Sequence, residues 1–485
     1  MTLTELNPQR VWKHFYTLTQ IPRPSGHEEK VISFMKKFGE DLGLETIVDH
    51  AGNVIIRKPA TPGMEERRGI ILQAHLDMVP QKNEDKVHDF TKDPIEPRIE
   101  GEWVYATGTT LGADNGLGIA AAMAVLEADD LAHGPIEALF TAEEETGMTG
   151  ARELKGGLLQ GDILINLDSE DEGELYVGCA GGLDGTYQFD YINEAVPENT
   201  IPYTLSVKGL KGGHSGLDIH LGRGNANKVM MRLLYPLITK HGVRVASIEG
   251  GNLRNAIPRE AIAKIVVPKD KVTLVEAEVE SVTAAIKAIL EIADPGLQVS
   301  LALDSALPVY VIDAPTTITA VRAVMAAFNG VFRMSDSMPG LVETSNNVAI
   351  VKSEEGKIAV KCLMRSSVDN AKEGLAQVLS STFELAGASV HTSGGYSGWN
   401  PNMDSPILKE MKKIYHNLFG VVPAVKGIHA GLECGILSTN YPHWDMISCG
   451  PTLRSPHSPD ECVLIPTVSK WWDFLVEALK NTPER

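Results

Sequence analysis

A chain of 485 residues is longer than one hydrophobic core usually serves, so two domains are expected. The balance of 44 Lys+Arg against 63 Asp+Glu gives a formal net charge of −19 without a basic tail, which speaks against nucleic-acid binding. Hydrophobic residues make up 43% and charged residues 22%, the composition of a folded globular protein and not of a disordered or fibrous one.

Residues 1–11 show no basic stretch leading into an apolar one, so no signal peptide is expected. The longest near-apolar run, 116–126, is about half of the roughly 20 residues a bilayer demands. The expectation is a cytoplasmic protein with no membrane partner. Its five cysteines (Cys179, Cys362, Cys434, Cys449, Cys462) are odd in number and lack a C-x-x-C pair, which fits reduced thiols and indicates neither a disulfide framework nor a thiolate zinc site.

In chain order, Asn7-Pro8 opens a helix to about Thr19, and Gly26-His27-Glu28-Glu29 opens an amphipathic one through Phe38 and Leu42. Short apolar runs at 70–74, 136–140 and 163–167, with a fourth at 444–448, read as strands of an α/β sheet, with a helix over 117–127. The acidic run Glu170-Asp171-Glu172 reads as a solvated loop. Glycine-rich stretches at 178–185 and 394–395 mark a change of rhythm. They predict an outer domain formed by 1–185 and 396–485, and an inserted domain over 186–395. Within the insert, a strand at 203–207, a helix at 225–239, a strand at 263–267 and a helix at 272–292 form one α/β lobe. Residues 309–390 loosely repeat it, with helices at 316–328 and 371–385.

Ionisable residues fall where these strands end. His75 and Asp77 follow the first strand, Glu143-Glu144-Glu145 the second, Asp168 the third, and His457 lies in the loop after the fourth. Open α/β sheets bind ligands at the carboxyl ends of their strands, so these groups are expected to converge. Asp114 joins them from Gly112-Ala113-Asp114-Asn115-Gly116, where a helix N-terminus favours a carboxylate and glycines permit close approach to a ligand. His75, Asp114, Glu145, Asp168 and His457 supply two imidazoles and three carboxylates, a borderline nitrogen and oxygen donor set for metals. Three carboxylates with two divalent ions leave a net charge of about +1, which one bridging hydroxide neutralises. In His75-Leu76-Asp77 the aspartate can accept the second ring N–H of the histidine and fix its tautomer. His14, His27, His50, His88, His133, His241, His391, His416 and His443 are read as surface or core filler.

Two motifs fall short. Gly213-His214-Ser215-Gly216 and Gly395-Tyr396-Ser397-Gly398 lack the last glycine of a nucleophile elbow, having Leu217 and Trp399 there. Gly178-Cys179-Ala180-Gly181-Gly182 lacks the spacing and lysine of a phosphate loop.

The segments 73–79, 108–116, 144–148 and 168–170 resemble the metal-site motifs of the co-catalytic zinc peptidases, in particular their aminoacyl-histidine dipeptidase branch. Segments 210–216, 253–259, 429–435 and 456–461 match as well, so the resemblance spans essentially the whole chain. It implies an α/β zinc-peptidase catalytic domain with a central mixed sheet flanked by helices, plus an inserted α/β lid domain. It also implies two Zn2+ per subunit, with Co2+ or Mn2+ as substitutes: His75 and Asp168 on one, Glu145 and His457 on the other, Asp114 bridging. Asp77 would orient His75, and Glu144 would be the general base. His214, Asn255 and Arg365 would handle the peptide carbonyl and the C-terminal carboxylate of a substrate. The implied activity is hydrolysis of unblocked dipeptides, preferably Xaa-His including β-Ala-His. The same centre could serve an N-acyl amino acid deacylase, and a silent binding scaffold is the third alternative. The resemblance leaves open whether His214 acts in its own subunit or across a homodimer.

Overall fold

The computed structural model describes residues 2–485. The chain divides into two compact units, one made of Met1–Gly178, Pro401–Gly427 and Leu432–Arg485, the other of Cys179–Asn400 with Ile428–Gly431. The boundaries thus differ from 185/186 and 395/396. The reason is local: Gly181–Asp190 is a strand of the second unit, paired along its length with Lys357–Ser366 and flanked by Ser389–Tyr396. Two backbone hydrogen bonds between Cys179 and Trp399 extend that pairing, and the Ala180 N–H donates to the carbonyls of Ile428 and Ala430.

The first unit is built on an eight-stranded mixed sheet. Its middle is parallel: Ile136–Thr141, Ile70–His75, Ile163–Asn166 and Asp445–Ser448 lie side by side in that order. Every residue of the first three is buried, which is why they read as unbroken apolar runs. Val54–Lys58 and Glu45–Val48 continue the sheet antiparallel on one side, and Glu174–Cys179 on the other. The helix Ala113–Glu127 is buried from Ile119 through Leu126, apolar all round as a core helix must be, and packs on the Ile70–His75 strand and the helix Gln9–Thr19. A smaller four-stranded sheet contains Leu453–Arg454 and Cys462–Leu464, whose antiparallel pairing makes the His457 segment a hairpin loop.

Residues 170–172 depart from the solvated-loop expectation. Glu172 accepts from Lys470 at 3.0 Å and from the Tyr415 hydroxyl, and Asp171 pairs with Arg454 at 2.9 Å. All three side chains are partly buried.

The second unit carries a nine-stranded antiparallel sheet. It holds two copies of one β-α-β-β-α-β pattern. One copy runs Thr200–Lys208, helix Ala226–His241, Arg244–Gly250, Ala261–Pro268, helix Val272–Leu290, Gln298–Leu303. The other runs Gly181–Asp190, helix Ala314–Ala326, Val342–Glu354, Lys357–Ser366, helix Asp369–Leu385, Ser389–Tyr396. In space both read fourth, first, third, second strand, and the two second strands pair antiparallel at Glu249↔Lys352 and Gly250↔Val351. The copies are therefore nested and not successive, because the first strand of the outer copy precedes the inner copy entirely. Helices from both halves pack against each other over a shared core that includes Tyr187, Leu234, Val321 and Phe383.

All five cysteines are buried and none is bridged. Among the described residues no helix is long and apolar enough to cross a membrane.

Candidate metal centre

The parallel strands of the first unit deliver their terminal residues to one place. His75 ends its strand, Asp168 follows Ile163–Asn166, and the short helix Glu144–Gly147 follows Ile136–Thr141. His75 Nε2 lies 3.0 Å from Asp114 Oδ1 and 3.3 Å from Asp168 Oδ1. His457 Nε2 lies 3.3 Å from Asp114 Oδ2 and 3.1 Å from Glu145 Oε2. The two oxygens of Asp114 thus face two different histidines. Three groups have ligand atoms close enough to hold an ion: His75/Asp114/Asp168, Asp114/Glu145/His457, and His75/Glu144/Glu145. Glu143 joins none of them. Glu145 Oε1 is buried without a hydrogen-bond partner, which a buried carboxylate oxygen tolerates poorly unless a cation takes it. Donor chemistry and this orphaned atom both fit a two-metal site.

Backbone geometry at the site is strained. His457 (φ 60) and Glu143 (φ 50) occupy the left-handed region, at a cost of order 1–3 kcal/mol each.

Asp77 is buried and does more than face His75. Its Oδ1 accepts from the Glu144 N–H at 2.9 Å, and its Oδ2 from the Glu145 N–H at 3.1 Å and the Ser25 hydroxyl at 2.7 Å. One carboxylate therefore caps the short helix that carries both glutamates. His75 Nδ1 stands 3.4 Å from the Asp77 carboxylate but 3.2 Å from its backbone carbonyl, so the ring N–H has two acceptors where the H-x-D spacing suggests one. Arg23, absent from the sequence-level site, is 3% exposed and donates to the carbonyls of Leu76 at 2.9 Å and Asp77 at 2.7 Å. Glu433, equally absent, accepts from Gln73 at 2.6 Å and Thr141 at 2.8 Å beneath the strand ends. No local spacing marks either residue. The glycines around Asp114 also serve a different purpose: a Cβ on Gly112 or Gly116 would meet the Arg23 guanidinium at 2.9 or 2.7 Å, so they admit an arginine rather than a ligand.

The charges are tightly linked. Burial opposes the His75 cation, yet Asp168, Asp114 and Asp77 outweigh it and hold its pKa well above the ordinary value. Hydrogen bonds from the ring to the Asp114 and Glu145 carboxylates lift His457 to about 11. Burial pushes Asp168 up to about 6 against the pull of His75, and burial with neighbouring carboxylates raises Glu144 well above the usual range. Protons here neutralise charge that metal ions would neutralise on binding, displacing them.

The second unit gathers His214, Asn255 and Arg365. Gly213–His214 pairs with Ala256–Ile257, and the Ser215 N–H donates to the Asn255 carbonyl at 2.8 Å. The Asn255 residue itself is exposed. His214 Nδ1 accepts from the Gly216 and Leu217 N–H groups at 3.2 and 3.1 Å, so its proton sits on Nε2. Burial and the Arg365 charge push its pKa down to about 4, keeping it a neutral donor. Arg365 is 5% exposed, its Nε donates to Ser215 Oγ at 3.2 Å and its Nη1 to the Tyr396 hydroxyl at 3.2 Å. Its Nη2 lies 3.5 Å from His214 Nε2, two donors side by side that suit one shared acceptor oxygen. His429, which sequence reasoning gave no role, is buried nearby, with Nε2 2.7 Å from the Ser345 hydroxyl.

The profile of Peptidase family M20/M25/M40 matches residues 71–481. The cytosol non-specific dipeptidase of Escherichia coli (strain K12) is 47% identical over 484 residues, covering 100% of this chain and 99% of that protein. The crystal structure of an aminoacylhistidine dipeptidase from Vibrio alginolyticus superposes with a TM-score of 0.93 at 46% identity, covering 100% of this chain and 99% of that one. A tripeptidase from Staphylococcus aureus shares the fold, with a TM-score of 0.57, 16% identity and 98% coverage of both chains.

Proposed function

The chain belongs to peptidase family M20/M25/M40, and from that premise we propose that it hydrolyses unblocked dipeptides, preferably Xaa-His including β-Ala-His, with two zinc ions held by His75, Asp114, Glu145, Asp168 and His457. It is a metallopeptidase, and its substrates are small peptides. The observation that carries the two-metal reading is Asp114, whose two oxygens face His75 and His457 separately. His75 and Asp168 would hold one ion, Glu145 and His457 the other, with Asp114 common to both. When bound, the ions lower the pKa of water towards 7 and polarise the scissile carbonyl.

The chain's own residues do the rest. Glu144 sits at the end of the ligand cluster with its proton affinity raised, which suits a group that takes a proton from the attacking water and returns it to the leaving amine. Asp77 holds its backbone, so the base and the ligand Glu145 are aimed together. His214 offers an Nε2–H donor for the oxyanion, with Asn255 beside it. Arg365 offers a planar fork, preset by Ser215 and Tyr396, for a free C-terminal carboxylate. A dipeptide carries its free carboxylate one residue from the scissile bond, and such a fork suits it. The protein works in the cytosol, and a homodimer is an assembly the reading allows.

The test is amine release from alanyl-histidine, β-alanyl-histidine and N-acetyl-histidine with zinc supplied. Cleavage of the first two alone supports the dipeptidase; cleavage of the acetyl compound alone replaces it with a deacylase.

A further inference from the structure

A bridging carboxylate must present both oxygens outward, yet Asp114 stands where its own backbone competes for them. It stands at the start of Ala113–Glu127 but outside helical geometry (φ −81, ψ 109), as does Asn115 after it, and the N-cap, Gly112, has no side chain to cap with. Backbone N–H groups leading into a helix have no intrahelical acceptor, and a short acidic side chain among them is a local group that can accept them. Asp114 does not turn back, and another carboxylate stands in that place. Glu461 accepts four successive N–H groups: Leu111 and Gly112 on Oε2 at 2.7 and 2.9 Å, Ala113 and Asp114 on Oε1 at 2.8 and 3.1 Å.

Glu461 is 2% exposed and comes from the other end of the chain, in the hairpin loop that also carries His457. The buried Arg23 in turn donates to the carbonyl of Gly112, in the Asp114 loop, at 2.5 Å while holding the carbonyls of Leu76 and Asp77. The Asp114 loop is thus gripped by a carboxylate on its N–H groups and by a guanidinium on its carbonyl. Each grip leads to another ligand segment, His457 through Glu461 and His75 through Arg23.

We propose that Glu461, opposed by Arg23, is a positioning residue for the metal centre: it occupies the amides that would otherwise recapture Asp114 and so leaves both Asp114 oxygens for two cations. This rests on the two-metal reading above. A glutamine at 461 would turn an amide NH2 towards two of the four N–H donors, which then compete for Asp114.

The experiment compares wild type, Glu461→Gln and a control, Glu137→Gln. Glu137 is also a buried carboxylate, accepting the N–H groups of Gln160 and Gly161 at 2.7 and 2.8 Å, but near the start of the strand whose far end leads to Glu144. Apo-protein Tm and zinc dissociation constants, from competition with a chromogenic chelator, are measured for each. Wild type should bind two equivalents. Glu461→Gln should bind both about 10- to 100-fold more weakly, while Glu137→Gln loses Tm with its zinc affinity unchanged. If Glu461→Gln does not fold, Glu461→Asp, which keeps the charge but not the reach, is read by the same criterion and should weaken zinc in the same direction. Unchanged zinc affinity in the folded Glu461 variant, with Tm losses matching the control, would reduce Glu461 to a structural residue. Wild type binding fewer than two equivalents would overturn the two-metal reading, and this inference with it.

Discussion

The two units treat the same side chain in opposite ways. In the first, His75 and His457 lie among carboxylates and hold their protons far above the ordinary histidine range. In the second, burial and Arg365 strip His214 and His429 of charge, to about 4 and about 3. On the proposed reading, one cluster receives cations and the other presents neutral and cationic donors to an anion. The contrast shows that the role of a histidine is set by the charges around it, and it divides the proposed chemistry between metal binding in one unit and recognition of carbonyl and carboxylate oxygen in the other.

The largest effect should come from removing the shared ligand. Asp114→Ala should lose zinc at both positions, and turnover with it, as read by metal analysis of the dialysed protein. Glu144→Ala should keep both zinc ions yet lose turnover on the order of 10²- to 10⁴-fold. Equal metal content and equal residual activity in the two variants would break the division between ligand and base.

How much of this was legible in the sequence follows from where the signals are local. The parallel strands announce themselves as apolar runs because they are buried on both faces, and His75, Glu143–Glu145 and Asp168 stand out just past their ends; Asp114 and His457 come from loops, and Glu144 is singled out as the base by the family resemblance. The strand Gly181–Asp190 hides among glycines, and its hydrogen-bond partners lie some two hundred residues away, which is why the insert begins earlier than the composition suggests and why its lobes are nested. Arg23, Glu433 and Glu461 act through backbone or buried side-chain partners distant in sequence. A lone charged residue in a loop or at a helix start carries no periodic signature. The H-x-D spacing points to Asp77, but not to its second task of capping the Glu144 helix.

Changes in the second unit should be smaller and different in kind. His214→Ala should lower kcat about 10²- to 10³-fold through loss of one oxyanion donor, with zinc content unchanged. Arg365→Ala should raise KM about 10- to 100-fold for dipeptides with a free carboxylate and leave C-terminally amidated ones nearly unaffected. An unchanged KM would remove the clamp from the account. The smallest effect concerns stability. The pKa of His214 is about 4 folded against 6.5 in the unfolded reference, so the unfolded chain binds the extra proton between those values and stability falls as pH drops through that window. His214→Gln should flatten that part of the loss in urea midpoints measured from pH 7 to pH 4, relative to wild type.

The most direct measurement strips the protein with a chelator and titrates zinc back while following alanyl-histidine hydrolysis. Without metal no turnover is expected, and activity should rise and saturate at two equivalents per chain. Full turnover in the stripped protein, or saturation at a single equivalent, would contradict the two-metal reading.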